Sequence, residues 1–214
     1  MISTVIFDLD GLLADSEKLH RQAYQDVLGK QGITVTNGEY EDHWIRAGKG
    51  IDDFARDRDL DLNIDSVRGD KAERYRQLVQ ETLQPMPGAL SLLEKLVGKK
   101  TCALASASYR DSVDWVLGKL SIADYFAVIA TQADVERLKP FPDIFLYTAE
   151  NLNVKPSSCV VIEDAEKGVI AASEAGMKCI AVPNEHTRNN DFSRATIVVS
   201  SLEDVTLELF DSRL

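Results

Sequence analysis

Apolar and polar positions follow two patterns along the chain. Short continuous apolar runs stand at 4–7 (TVIF), 101–105 (TCALA), 127–130 (AVIA), 159–162 (CVVI), 178–182 (KCIAV) and 196–199 (TIVV). Runs this short with no polar alternation read as strands buried on both faces, the signature of a parallel sheet. Between them lie segments with helical spacing. One runs over 89–97 with Leu90, Leu93, Leu96 and Val97, a second over 110–120 with Val113, Val116, Leu117 and Leu120, and a third over 166–175, stopped by Gly176. Strand and helix in alternation predict an α/β fold with a parallel sheet.

One stretch breaks the alternation. From 16 to 84 the pattern is helical throughout, with turns at 29–32, at 48–50 and at Asn63. Its first helix carries Leu19, Ala23, Val27 and Leu28 on one side, its last carries Val67, Tyr75, Leu78, Val79 and Leu83, and Pro85-Met86-Pro87-Gly88 marks the return. The expectation is a core made of 1–15 and 85–214, interrupted by a helical domain at 16–84. Both crossings lie beside strand ends, which places the insert to swing over the sheet edge as a lid.

Composition narrows the function. Among 214 residues there are 35 acids and 24 bases, a net charge of −11, and no basic stripe to neutralise a polynucleotide. Nucleic acid is therefore excluded as a partner. No apolar run reaches membrane-spanning length, and the start of the chain meets Asp8 without the basic segment of a signal peptide. Cys102, Cys159 and Cys179 sit in or beside apolar runs with no C-x-x-C spacing, so they read as buried small hydrophobes in a reducing compartment. A cytoplasmic monomer is expected. His20, His43 and His186 show no paired spacing for zinc, and Trp44 and Trp115 read as packing residues.

The residues with chemical potential stand at the ends of the predicted strands, where α/β sheets bind ligands. The first strand runs into Asp8-Leu9-Asp10-Gly11, with Gly11 permitting a turn. TCALA runs into Ser106, between the small Ala105 and Ala107. Lys139 opens Lys139-Pro140-Phe141-Pro142-Asp143, a loop stiffened by two prolines. CVVI ends in Glu163-Asp164 before a helix that includes Gly168. Singly, Ser106 reads as a helix cap, Lys139 as a surface charge and Glu163-Asp164 as a helix start favoured by the dipole. All four in this order point to one site.

This set resembles the haloacid dehalogenase superfamily, and within it the helical-cap phosphatases and the β-phosphoglucomutase-like group. The resemblance covers essentially the whole chain and rests on Asp8 to Gly11, Ser106, Lys139 and Glu163-Asp164. It implies a Rossmann-like catalytic core with an inserted cap, Mg²⁺ as cofactor, and an aspartyl-phosphate intermediate. Asp8 is then the nucleophile, a carboxylate able to attack phosphorus once cations offset the repulsion. Asp8 and Asp164 are expected as direct metal ligands, since Mg²⁺ takes oxygen donors and keeps several waters. By resemblance the Asp10 backbone carbonyl is a third ligand and Glu163 acts through water. Ser106 and Lys139 hold the phosphoryl oxygens, and the Asp10 side chain is the general acid and base.

Substrate contacts are assigned to Ala107 in the core and to His20, Arg46, Gly48 and Lys49 in the cap, His20 matching a histidine of β-phosphoglucomutase. The insert has fourteen acids and eleven bases, net −3 against −8 for the rest, so it is the less repulsive half for an anionic substrate. The expected function is hydrolysis of a small phosphorylated metabolite. The alternative is a sugar phosphomutase, against which, with the cap-loop glycine placed at Gly48, stand Ala47 and Ile51 where the mutase has a lysine and a phosphate-gripping arginine, while a shifted register would let Arg46 and Lys49 substitute. A receiver module that only accepts phosphate is the third reading, disfavoured by the insert and the D-x-D spacing.

Overall fold

The computed structural model describes residues 2–212. Six strands form one sheet: β1 (Thr4–Phe7), β2 (Thr101–Ala105), β3 (Phe126–Ala130), β4 (Cys159–Glu163), β5 (Lys178–Ala181) and β6 (Ile197–Val198). Every pairing is parallel, and the spatial order is β3-β2-β1-β4-β5-β6, a Rossmann-like arrangement. β1 and β4 are buried along their whole length, which explains their continuous apolar runs. β4 extends one residue beyond the apolar run, because Glu163 pairs in register with Ala181. β6 keeps only two residues of TIVV, an edge strand half open to solvent. The three cysteines are free and buried.

The chain divides into two compact units, 1–15 with 84–214, and 16–83. The outgoing and returning segments are stitched together within the first unit. Asp15 N donates to Gln84 O (3.0 Å), and Met86 N donates to Leu13 O (2.9 Å). These bonds put Gln84 with the sheet rather than with the insert.

The helical unit comprises α1 (Glu17–Gly29), α2 (Asn37–Tyr40) continuing into a π-helical turn at Glu41–Arg46, α3 (Ile51–Asp57) and α4 (Ile64–Thr82). α1 packs on α4 through Leu19, Ala23, Val27 and Leu28 against Val67, Tyr75, Leu78 and Val79, all buried. The π turn is an element that the periodicity of the sequence did not reveal. In it Trp44 stacks on Tyr40 (5.1 Å between ring centroids) and lies against Tyr24 (4.8 Å) and Phe54 (4.9 Å).

In the sheet unit, α5 (Ala89–Leu96), α6 (Arg110–Leu120), α7 (Asp143–Asn151), α8 (Glu166–Glu174) and α9 (Leu207–Ser212) complete the fold. α7 packs on β2 and β3, and α8 on β4 and β5. Ile6, Ala103, Ile144, Phe145, Val161 and Val169 share one core cluster. Two features position the site. The sheet order reverses between β1 and β4, so the crevice outside their carboxyl ends is the topological switch point. Phe7 is level with Leu104 and with Ile162, so one step further on Asp8 is level with Ala105 and Glu163. Among the described residues no helix is long and apolar enough to cross a membrane.

Candidate active site

After β1 the chain folds into a tight loop closed on one carbonyl. Leu13 N and Ala14 N both donate to Leu9 O (3.0 Å each), and Gly11 N donates to Ala14 O (2.9 Å). Gly11 takes φ +79°, and a Cβ there would stand 2.8 Å from Asp164 Oδ2. Only glycine satisfies both conditions, so the DLDG turn is required by geometry and by the neighbouring acidic loop.

Lys139 joins the strand ends. Its ammonium donates to Asp8 Oδ1 (2.6 Å), Glu163 Oε1 (2.7 Å) and Ala105 O (2.9 Å), which uses all three of its hydrogens. Its side chain is 2% exposed, so the surface-charge alternative does not apply. Glu163 Oε2 in turn accepts from the Asp164 and Ala165 amides, at 3.0 Å each. Both Glu163 oxygens thus already have protein donors.

Asp8, Glu163 and Asp164 are buried and offer carboxylate oxygens within 4.8 Å of one another. Burial pushes the Asp8 carboxyl up to about 7; Lys139 pulls it back, while Glu163 and Asp10 push it further. Burial disfavours the Lys139 ammonium, but Asp8 and Glu163 outweigh that and hold it above the ordinary lysine value. One ammonium among these acids leaves an excess of negative charge. A hard divalent cation such as Mg²⁺ fits this all-oxygen donor set and would supply the missing positive charge.

Ser106 follows β2 with its amide on Ala130 O (3.0 Å), and its hydroxyl accepts from Ser108 N (3.0 Å). Ser106 Oγ is 3.5 Å from Asp10 Oδ2, a marginal contact. The strong bond to that carboxylate comes from Ser108, whose hydroxyl donates to Asp10 Oδ2 at 2.6 Å. Nothing local in the sequence marks Ser108, a serine in a turn, as the partner of a carboxylate distant along the chain. Ala107 lies between the two serines, half-buried.

A Cβ at Gly168 would stand 1.8 Å from Glu163 Oε1, so α8 begins flat against that carboxylate. Replacing a helical glycine by alanine ordinarily stabilises by about 1 kcal/mol, but here the overlap decides the sign. Gly168→Ala is expected to displace Glu163 and destabilise by about 1–3 kcal/mol. Turnover should fall about 10- to 100-fold with it, since Lys139 loses a partner. Urea denaturation and steady-state kinetics check this; an unchanged turnover would contradict the packing argument.

The remaining assigned residues belong to the helical unit. His20 stacks on Tyr75 (3.9 Å between centroids), and its Nδ1 lies 2.7 Å from Lys71 Nζ. Arg46 pairs with Asp42 (2.5 Å) and Lys49 with Asp57 (2.8 Å), both at the surface. Gly48 takes φ +62° in the loop between them. The structure brings Asp8, Asp10, Ser106, Lys139, Glu163 and Asp164 together, and holds these four residues in a separate unit.

The model of haloacid dehalogenase-like hydrolases matches residues 5–182, a span that includes every strand end just described. The chain belongs to that family. Hexitol phosphatase B of Escherichia coli O157:H7 is 34% identical over 215 residues, covering 96% of this chain and 95% of the relative. Among solved structures, CbbY of Rhodobacter sphaeroides in complex with phosphate has a TM-score of 0.91 at 29% identity, covering 99% of this chain and 100% of that one. β-Phosphoglucomutase of Clostridium difficile has a TM-score of 0.83 at 28% identity, covering 100% and 97%.

Proposed function

We propose that this protein is a Mg²⁺-dependent phosphomonoester hydrolase that acts on a small phosphorylated metabolite through an aspartyl-phosphate on Asp8. The observation that carries the reading is the buried ammonium of Lys139 bridging Asp8 and Glu163 at the sheet's switch point. A buried carboxylate so placed is a nucleophile whose charge is offset only by cations. Asp8 and Asp164 would hold the metal, with the Asp10 carbonyl as a further ligand. Mg²⁺, when bound, supplies positive charge against the anionic phosphate.

The chain's own groups account for the rest. Asp8 attacks phosphorus, and Lys139 and Ser106 stabilise the charge on the transferring oxygens. Asp10 gives a proton to the leaving oxygen and then takes one from the water that hydrolyses the phosphoenzyme. Ser108 holds the Asp10 carboxylate through a hydrogen bond to one of its oxygens. The helical unit serves as the cap, and the hexitol phosphatase relative supports a sugar-phosphate-sized substrate.

Likeness to a phosphomutase raises the alternative of transfer to sugar rather than to water. The cap loop argues against it. Ile51 is 2% exposed within the helical unit's core and has no charge to offer, and Ala47 has none either. Arg46 and Lys49 are each engaged by an aspartate. A mutase must hold the distal phosphate by a cation while water is kept from the phosphoenzyme.

The test is phosphate release from a panel of sugar phosphates and related metabolites, run with Mg²⁺ and with EDTA. Expected are Mg²⁺-dependent turnover on at least one monoester and, from β-glucose 1-phosphate with catalytic glucose 1,6-bisphosphate, little glucose 6-phosphate. Undiminished turnover without metal would overturn the metal assignment. Glucose 6-phosphate formed orders of magnitude faster than phosphate would make the mutase the answer.

A further inference from the structure

Asn184 lies three residues beyond β5, in a turn that the family motifs of the sequence do not include. Its side-chain amide joins two loops. Nδ2 donates to Asp164 Oδ2 (2.8 Å) in the loop after β4 and to Gly11 O (3.0 Å) in the loop after β1. The other end is held just as firmly, since Oδ1 accepts from the amides of His186 (2.8 Å) and Thr187 (3.2 Å). Asn184 N donates to Thr187 Oγ1 (3.0 Å).

These bonds settle the amide's orientation. Oδ1 faces two backbone donors, so Nδ2 must face the carbonyl and the carboxylate; the reverse would set donor against donor. Both amide hydrogens and both oxygen lone pairs are used. The packing leaves no slack, because a Cβ on Gly11 would stand 2.7 Å from Asn184 Nδ2. The amide therefore fixes one oxygen of Asp164 and, through Gly11, the loop that follows Asp8 and Asp10.

We propose that Asn184 is a positioning residue that sets the affinity of this site for Mg²⁺. The inference rests on the metal-dependent reading above. A carboxylate that must bind a cation with one oxygen is oriented by a donor on the other, and such outer partners typically govern metal affinity about 10- to 100-fold. Here the donor also couples Asp164 to the loop of Asp8, so its loss loosens two proposed ligands together.

The experiment measures metal binding directly on the full chain, stripped of metal. Mn²⁺ is titrated by electron paramagnetic resonance and Mg²⁺ by calorimetry, for the wild type, Asn184→Ala and Asn184→Ser. The serine variant guards against misfolding, because its hydroxyl can accept from the His186 and Thr187 amides and keep the turn, but it is too short to reach Gly11 O and Asp164 together. Both variants are expected to bind either ion about 10- to 100-fold more weakly, with the Mg²⁺ concentration for half-maximal turnover rising in step and turnover at saturating Mg²⁺ much less affected. Binding within twofold of wild type in Asn184→Ser, with its melting temperature in EDTA retained, would show that Asn184 only holds its turn, and would overturn the proposal. A wild type that binds neither ion would instead sink the metal reading on which the proposal stands.

Discussion

Asp8→Asn is expected to abolish phosphoenzyme formation and to lower turnover by about 10⁴-fold or more, the scale on which removal of a nucleophile acts. The amide is nearly the same size as the carboxylate, so the loop closed on Leu9 O and the parallel register of β1 should survive. What it lacks is the attacking oxygen charge and the negative partner of Lys139, whose ammonium is 2.6 Å from Asp8 Oδ1. Rapid quench with radiolabelled substrate checks the first loss, and circular dichroism checks the fold. Hydroxylamine-sensitive phosphate on the variant chain would contradict the assignment of the nucleophile.

Lys139→Met should be nearly as damaging, and it has a second signature in stability. Removing the ammonium leaves Asp8 and Glu163 buried without their shared cation, a change that typically costs about 3–5 kcal/mol. Turnover is expected to fall by about 10³-fold, since the transferring oxygens lose their charged donor.

The pH dependence follows from Asp8. Its carboxyl is raised from 3.8 to about 7 in the folded protein, so the folded state holds its proton more tightly than the unfolded chain does. That contribution to stability is complete below the unfolded value and is lost as pH rises through the folded one. Lys139 is the group that pulls Asp8 down, so without it the folded value climbs and the loss continues above neutral pH. Melting curves in EDTA from about pH 5 to about pH 9 should show the variant's deficit widening above neutrality. A deficit independent of pH would mean that Lys139 does not set the charge state of Asp8.

Local features of the chain determined much of this. The apolar runs ahead of Asp8, Ser106 and Glu163 mark strands because a segment buried on both faces is made mostly of apolar residues. Leu19, Ala23, Val27 and Leu28 recur at helical spacing, and all four are buried in α1. Asp8, Ser106 and Glu163-Asp164 stand where those runs end, since a strand's polar boundary is a local property, whereas Lys139 lies well past the end of β3 and has no such local mark.

Tertiary structure alone decided which strands are neighbours. Nothing in the runs at 4–7 and 159–162 says that β1 and β4 pair, yet that pairing makes the switch point and sets Asp8 level with Glu163. The three bonds of Lys139 span up to 131 positions of sequence, and no pattern of local spacing encodes a contact so remote. Ser108, Gly168 and Asn184 were hidden for the same reason. A serine in a turn, a glycine in a helix and an asparagine after a strand have ordinary local explanations, and only the approach of Asp10, Glu163 and Asp164 turns them into parts of the site. Hydrophobic periodicity is written residue by residue, whereas the charge balance of a buried site is a property of which loops the fold brings within a few ångströms.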